Sequence, residues 1–263
     1  MQRIILQGTH LEVSKIGFGT ASLHHSFSSS GRRSILKTAF DGGVTHFDTA
    51  RLYGNGIAEK ELGCFFEEVG RKHLTVSTKV GFNINSRQKM FPMSHIVGKK
   101  IINKVLQKPK EPLSDFTPVG CEKSFSESLR CLKTEWVDIL FVHEPVLANF
   151  EELENLIPWL RLQKSLGKAK YIGLAGERLD RVQIEAFFPN VVDIFQTSSM
   201  ADNPTHHLPI QPQIHYGCFA NLSVTQRIMA MEEIVTEKES RMVLYSSRQP
   251  ARIRSFCAKF SSP

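Results

Sequence analysis

Residues 45–80 read THFDTARLYGNGIAEKELGCFFEEVGRKHLTVSTKV, and the fold follows from this stretch. Thr45–Ala50 and Leu74–Val80 are short runs rich in β-branched and aromatic residues, which favour extended backbone. Between them, in Gly56–Val69, the apolar residues Ile57, Leu62, Phe65, Phe66 and Val69 recur three and four apart, so they share one face of a helix. Strand, helix and strand in that order make a βα unit of a parallel sheet.

The same alternation continues outward in both directions. Strand signals fall at Lys15–Gly19, Thr45–Ala50, Leu74–Val80, Trp136–His143, Lys170–Ala175, Val192–Thr197, Pro212–Phe219 and Arg241–Ser246. Helical periods fall at Gly31–Gly42, Gly56–Val69, Pro118–Leu132, Phe150–Leu166, Leu179–Phe187, Val224–Glu237 and Ala251–Phe260. This alternation predicts an α/β fold, a (β/α)8 TIM barrel that forms one domain over residues 1–263. Residues 1–14 read as an N-terminal β-hairpin turning at Gln7-Gly8-Thr9-His10.

Two departures from the regular pattern are expected. Gly81–Thr117, after the third strand, is longer than an ordinary βα loop, and its Met93–Leu106 portion sets Ile96, Val97, Ile101, Ile102, Val105 and Leu106 against lysines. It is read as an amphipathic helix lying over the barrel mouth, with a membrane-surface or acidic-partner contact as the alternative. Ala201–Gln211 holds Pro204 and Pro209 and too few residues for a crossover, so a helix is missing between the sixth and seventh strands.

The net charge of +7 is uneven, since residues 82–110 carry seven lysines and arginines and no acid. A second acid-free stretch, Arg241 to Pro263, sets Arg248, Arg252, Arg254 and Lys259 beside serines. That pattern suits a phosphate-bearing ligand better than nucleic acid, because neither stretch interleaves its cations with aromatic residues for base stacking. The five cysteines are scattered without a C-x-x-C pair and read as reduced thiols. His24-His25 and His206-His207 lack helical spacing and neighbouring carboxylates, so no metal site is expected. The first residues contain no long apolar run, and the chain is expected to be cytoplasmic, a monomer or weak homo-oligomer without stable membrane association.

In a barrel of this kind reactive groups sit where strands end and βα loops begin. Asp48 and then Tyr53 follow the second strand, Lys79 falls in the third and His143 ends the fourth. Alone, an Asp there is often a turn residue, a Lys a solvated charge and a His structural. A carboxylate, a phenol, an ammonium and an imidazole on one rim would instead meet in a single pocket.

The residues Phe47-Asp48-Thr49-Ala50-x-x-Tyr53-Gly54, Glu59-x-x-Leu62-Gly63, Ser77-Thr78-Lys79 and Val137-Asp138-x-x-x-x-His143-x-Pro145 resemble the aldo-keto reductase family. The resemblance runs from Ile16-Gly17-Phe18-Gly19-Thr20 to the last helix, and it implies a catalytic tetrad of Asp48, Tyr53, Lys79 and His143. Hydride arriving at a carbonyl carbon leaves negative charge on oxygen, which a positioned proton donor must meet. Tyr53 is that donor; its ordinary pKa of about 10 is high for the task, so Lys79 is expected to favour the phenolate. Asp48 holds Lys79, and His143 orients the substrate oxygen.

The expected cofactor is NADPH/NADP+. Gly17-Phe18-Gly19-Thr20-Ala21-Ser22 lacks the third glycine and the following helix of a dinucleotide fingerprint. The run from Ser246 into the last helix offers backbone N–H groups and a helix N-terminus to an anion instead. There the resemblance implies a 2′-phosphate clamp of Ser247 and Arg252, with Arg248 added on charge grounds; a capped helix with solvated arginines is the alternative. Gly19, Thr20, Asp48, Gln196, Tyr216 and Ser246 complete the expected cofactor contacts. Where the family often carries Ser-Asn for the carboxamide, this chain has Ala175-Gly176, and it ends at Pro263 without the long tail of many relatives. The function implied is NADPH-dependent reduction of a small aldehyde or ketone, or oxidation of the alcohol. A cofactor-binding regulatory or scaffold protein is the alternative, and a metal-dependent hydrolase a third.

Overall fold

The computed structural model describes residues 1–84, 114–146, 149–176, 188, 190–198, 213–219, 222–236 and 241–260. A hairpin of β1 (Arg3–Ile5) and β2 (Glu12–Ser14) precedes β3 (Ile16–Gly19), α1 (Ser29–Asp41), β4 (His46–Asp48), α2 (Ile57–Val69) and β5 (Thr75–Val80). Then come α3 (Pro118–Leu132), β6 (Val137–His143), α4 (Phe150–Ser165), β7 (Ala169–Ala175), β8 (Ile194–Ser198), β9 (Ile214–Tyr216), α5 (Val224–Thr236), β10 (Met242–Tyr245) and α6 (Pro250–Lys259). The expected barrel forms: β3 to β10 pair in parallel and in chain order, and β10 closes onto β3.

Side chains alternate about the barrel wall with the strand period of two. Phe47, Val76, Leu140, Val142, Leu174 and Phe195 face outward and pack with Leu36, Leu62, Phe65, Phe125 and Leu156 of the helices. All eleven are essentially withdrawn from water, a burial that contributes about 1.5–3 kcal/mol for each large side chain. Ile139, Phe141, Ile194, Ile214 and Met242 face inward and meet Leu6, Leu11 and Val13 of the hairpin, which therefore plugs the end where the strands begin. Ser14 N–H donating to Thr45 Oγ1 and Gln213 Nε2 donating to the Gln7 carbonyl anchor the plug at 2.9 and 3.3 Å. Among the described residues the opposite end is open.

Element ends moved by a few residues. The seventh barrel strand, expected at Pro212–Phe219, is confined to Ile214–Tyr216, because Gly217 takes φ 73° and Phe219 turns to pack edge-on against Tyr245 and Phe256. The first helix begins at Ser29 rather than Gly31, since the Ser28 side chain accepts from Gly31 N–H and caps it. The expected helices at 93–106 and 179–187, the missing crossover at 201–211 and the His206-His207 pair lie outside the described residues.

Candidate active site

Register sets the site. Gly19 lies opposite Asp48, Asp48 opposite Ser77, Lys79 opposite Phe141, His143 opposite Ala175 and Ala175 opposite Gln196. From Ser77 to Lys79 and again from Phe141 to His143 the row steps forward by two residues, the stagger of a closed barrel with tilted strands, and so climbs to the C-terminal strand ends. Gln196 Nε2 of β8 donates to Asp48 Oδ1 of β4 at 3.1 Å, and these strands are four apart around the barrel, so the bond crosses the interior.

Lys79 Nζ donates to Asp48 Oδ1 and Oδ2, both at 2.7 Å, and to the Thr49 carbonyl at 3.0 Å. Burial by itself would lower its pKa, yet Asp48 and Tyr53 hold it above the usual lysine value. An uncompensated charge in this setting would be costly, so the pair is obligatory once either partner is present.

Tyr53 reaches the cavity from the turn after β4. Gly54, Asn55 and Gly56 take φ 61°, 55° and 88°, three successive left-handed residues that reverse the chain before α2. A Cβ on Gly54 would lie 2.3 Å from His24 Cβ, so the turn also needs the missing side chain. The Lys79 ammonium stands 5.0 Å from the Tyr53 ring centroid. Burial raises the Tyr53 pKa more than Lys79, acting in the expected direction, lowers it, and Asp48 and Glu144 add to the rise. Near neutrality the group holds its proton.

His143 stands edge-on to Tyr53, ring centroids 6.2 Å apart, and edge-on to Phe82 at 5.3 Å. Burial, reinforced by the Lys79 charge, pushes its pKa down to about 3, so the imidazole is neutral and has one N–H to donate. The four side chains line an open cavity of about 750 Å³, its mouth included, together with Gly19, Ala21, Glu144, Ala175, Gly176, Gln196, Tyr216, Gly217, Leu244 and Ser246.

The other expected site residues divide. Gly19, Gln196, Tyr216 and Ser246 line the cavity with the quartet. Thr20 does not: it is buried, and its hydroxyl donates to the Asp48 carbonyl at 2.9 Å. Ser247, Arg248 and Arg252 lie beyond the cavity at the β10–α6 junction, the arginines exposed. Ser247 Oγ accepts from Gln249 N–H at 3.2 Å, and Gln249 caps α6 without a side-chain hydrogen bond. Glu144 and Phe82 were missed in sequence; an acid next to His143 and an aromatic after Gly81 carry no distinctive spacing.

The residues present fit a nicotinamide. Gln196 Oε1 is buried and has no hydrogen-bond partner among the described residues, an acceptor suited to a carboxamide N–H. At Gly176, where the resembled family often carries the asparagine of its Ser-Asn pair, a Cβ would come within 2.9 Å of Glu144 Oε2. Glycine there lets Glu144 lie against the strand end. Among the described residues no group of carboxylates, histidines and cysteines is placed to hold a metal, and no helix is long and apolar enough to cross a membrane.

A closed parallel barrel whose open end gathers a carboxylate, an ammonium, a phenol and a neutral imidazole defines a class, the barrel oxidoreductases that work on carbonyl groups. The sequence profile of the Aldo/keto reductase family matches residues 15–208, and the chain belongs to that family. It is 29% identical over 197 residues to the L-galactose dehydrogenase of Arabidopsis thaliana, covering 72% of this chain and 53% of that protein. With the D-threo-aldose 1-dehydrogenase of a Pseudomonas species it shares 28% over 169 residues, 62% of this chain and 50% of the other. The chain thus spans about half the length of the curated relatives it matches. In fold it is similar to the holo form of an aldo-keto reductase from Bacillus halodurans, with TM-score 0.75 at 16% identity, covering 100% of this chain and 92% of that one.

Proposed function

We propose that the protein is an NADPH-dependent reductase of small aldehydes or ketones, running also as an alcohol dehydrogenase, with Tyr53 as the proton donor. The observation that carries this reading is the Lys79 ammonium, clamped by both oxygens of Asp48 and 5.0 Å from the centre of the Tyr53 ring at the cavity wall. Bound in the cavity, a reduced nicotinamide supplies the hydride that goes to the carbonyl carbon. Tyr53 gives its proton to the carbonyl oxygen, and the phenolate left behind is held by Lys79 until water returns a proton. A neutral His143 donates its N–H to the same oxygen and so fixes which face of the carbonyl is presented.

Gln196 Oε1 would take the carboxamide, with Gly19 and Tyr216 flanking the ring. Ser246 lies on the cavity wall while Ser247, Arg248 and Arg252 lead outward to the start of α6, a path suited to a ligand that ends in a phosphate. The protein would act on small molecules in the cytoplasm as a monomer or weak homo-oligomer, over one domain spanning residues 1–263.

The test is loss of NADPH absorbance with a panel of aldehydes and ketones, for the wild type and for Tyr53→Phe. Turnover by the wild type with loss of at least about 100-fold in the variant is expected, the lower end of what a positioned proton donor contributes. Undiminished turnover in Tyr53→Phe discards the mechanism. Saturable NADPH binding with no turnover on any carbonyl would favour a regulatory, binding-only role instead.

A further inference from the structure

Beneath the quartet lies a row of polar side chains that the proposed reaction does not itself consume. His46 and Asp48 point inward from β4, Thr75, Ser77 and Lys79 from β5, and register sets His46 opposite Thr75 and Asp48 opposite Ser77. His46 is fully buried, with Nδ1 2.9 Å from Thr75 Oγ1 and Nε2 3.1 Å from Ser77 Oγ. Ser77 Oγ donates to Asp48 Oδ1 at 2.8 Å, the oxygen that also accepts Lys79 and Gln196.

The direction of every proton in this row follows from its upper end. Asp48 has an ammonium on both oxygens, is a carboxylate, and offers only lone pairs. Ser77 must therefore donate to it. The Ser77 oxygen then faces His46 with a lone pair, which requires the hydrogen on Nε2 and leaves Nδ1 an acceptor, so the single Thr75 hydroxyl hydrogen goes to Nδ1 at 2.9 Å rather than to the Thr45 carbonyl at 3.3 Å. Burial pushes His46 down to about 4, in keeping with a neutral ring of one tautomer. An apolar interior would fill this layer at no worse stability, so what two hydroxyls and an imidazole add is direction.

We propose that His46 is a positioning residue which, through Ser77, fixes the rotamer of Asp48, and with it the line along which Lys79 meets Tyr53. The proposal rests on the reductase reading above. Asp48 can turn its carboxylate about the final side-chain torsion, a broad and soft one, and the ammonium held by both of its oxygens would follow. Three donors converging on Oδ1 from β5 and β8 remove that freedom. A displacement of about 1 Å between reacting groups is enough to cost a rate factor on the order of 100.

Two measurements decide it. Nitrogen-15 histidine spectra of the protein without added nucleotide, with His46 assigned by its absence in His46→Gln, should show the Nε2–H tautomer near neutral pH. That signal should move in Ser77→Ala. An Nδ1–H tautomer, or a His46 signal indifferent to Ser77→Ala, overturns the proton chain. In kinetics, Ser77→Ala and His46→Leu should each lower kcat about tenfold or more while the Kd of NADPH, from fluorescence titration, changes less than about threefold.

His46→Gln, whose amide offers both a donor and an acceptor, should recover at least about a third of the wild-type kcat. A merely structural role would lower the melting temperature of all three variants and leave kcat intact well below it, which overturns the proposal. Should His46→Leu fail to fold, Ser77→Ala removes a single oxygen and carries the test. A wild type without turnover on any carbonyl removes both readings; an active wild type with an unaffected Ser77→Ala removes only this one.

Discussion

Gln196 donates through Nε2 to Asp48 Oδ1 at 3.1 Å, the oxygen that accepts Lys79 at 2.7 Å, and its other terminal atom, Oε1, is buried without a hydrogen-bond partner among the described residues. One side chain thus braces the carboxylate with its donor end and presents an unmet acceptor with the other. A buried acceptor left unpaired costs about 1–3 kcal/mol, which a bound amide would offset.

From that follows the expected behaviour of Gln196→Leu. It removes the acceptor and one donor to Asp48 together, so NADPH should bind about tenfold more weakly, in line with the cost of one unmet buried group. Fluorescence titration of the nucleotide measures it; an unchanged Kd would remove Gln196 from the cofactor site.

Acid should destabilise the fold through two histidines. His143 and His46 have folded pKa values of about 3 and about 4, below the ordinary 6.5, so between these limits the unfolded chain binds more protons than the folded one. Stability contributed by the neutral rings is present above about 6.5 and is lost as pH falls toward the folded values, on the order of 2 kcal/mol for each histidine by pH 5. Urea midpoints across this window, compared between wild type and His143→Gln, check the sign. A variant with the same slope as wild type would show that His143 is already charged in the fold.

Arg252→Ala bears on the cofactor's phosphate. Arg252 is exposed, so its loss should leave folding untouched, and the KM for NADPH should rise about tenfold or more while that for NADH changes little. Equal effects on both nucleotides would count against phosphate recognition at the start of α6.

Gly54→Ala should be disproportionately harmful for one added methyl. The residue sits at φ 61° and the new Cβ would meet His24 Cβ at 2.3 Å, so a loss of about 2–3 kcal/mol is expected from backbone strain and overlap together. Since Gly54 adjoins Tyr53, kcat should fall as well. Thermal denaturation and turnover measured side by side test both, and a melting temperature equal to wild type would show that the turn has room to give.

The barrel was legible along the chain because its signals are local. The strand at Thr45–Ala50, the helical stripe of Ile57, Leu62, Phe65 and Phe66 and the strand at Leu74–Val80 each show their period within a dozen residues. The gathering of Asp48, Tyr53, Lys79 and His143 was legible for a related reason, since strand ends of a barrel all open on one side. Thr20 was misread. Its hydroxyl is a ligand group in sequence, and only the pairing of β3 with β4 turns it onto the Asp48 carbonyl.

The sequence alone determined the alternation of elements, and therefore which residue types arrive at the open rim, because periods of two and 3.6 are written in neighbouring residues. What the closed barrel decided is who meets whom across it and how deeply: Gln196 reaching Asp48 over 148 residues, His46 finding Ser77, and burial outweighing Lys79 at the Tyr53 phenol. Those outcomes depend on distances and on burial, and both come into being only when β10 pairs with β3 and the barrel closes.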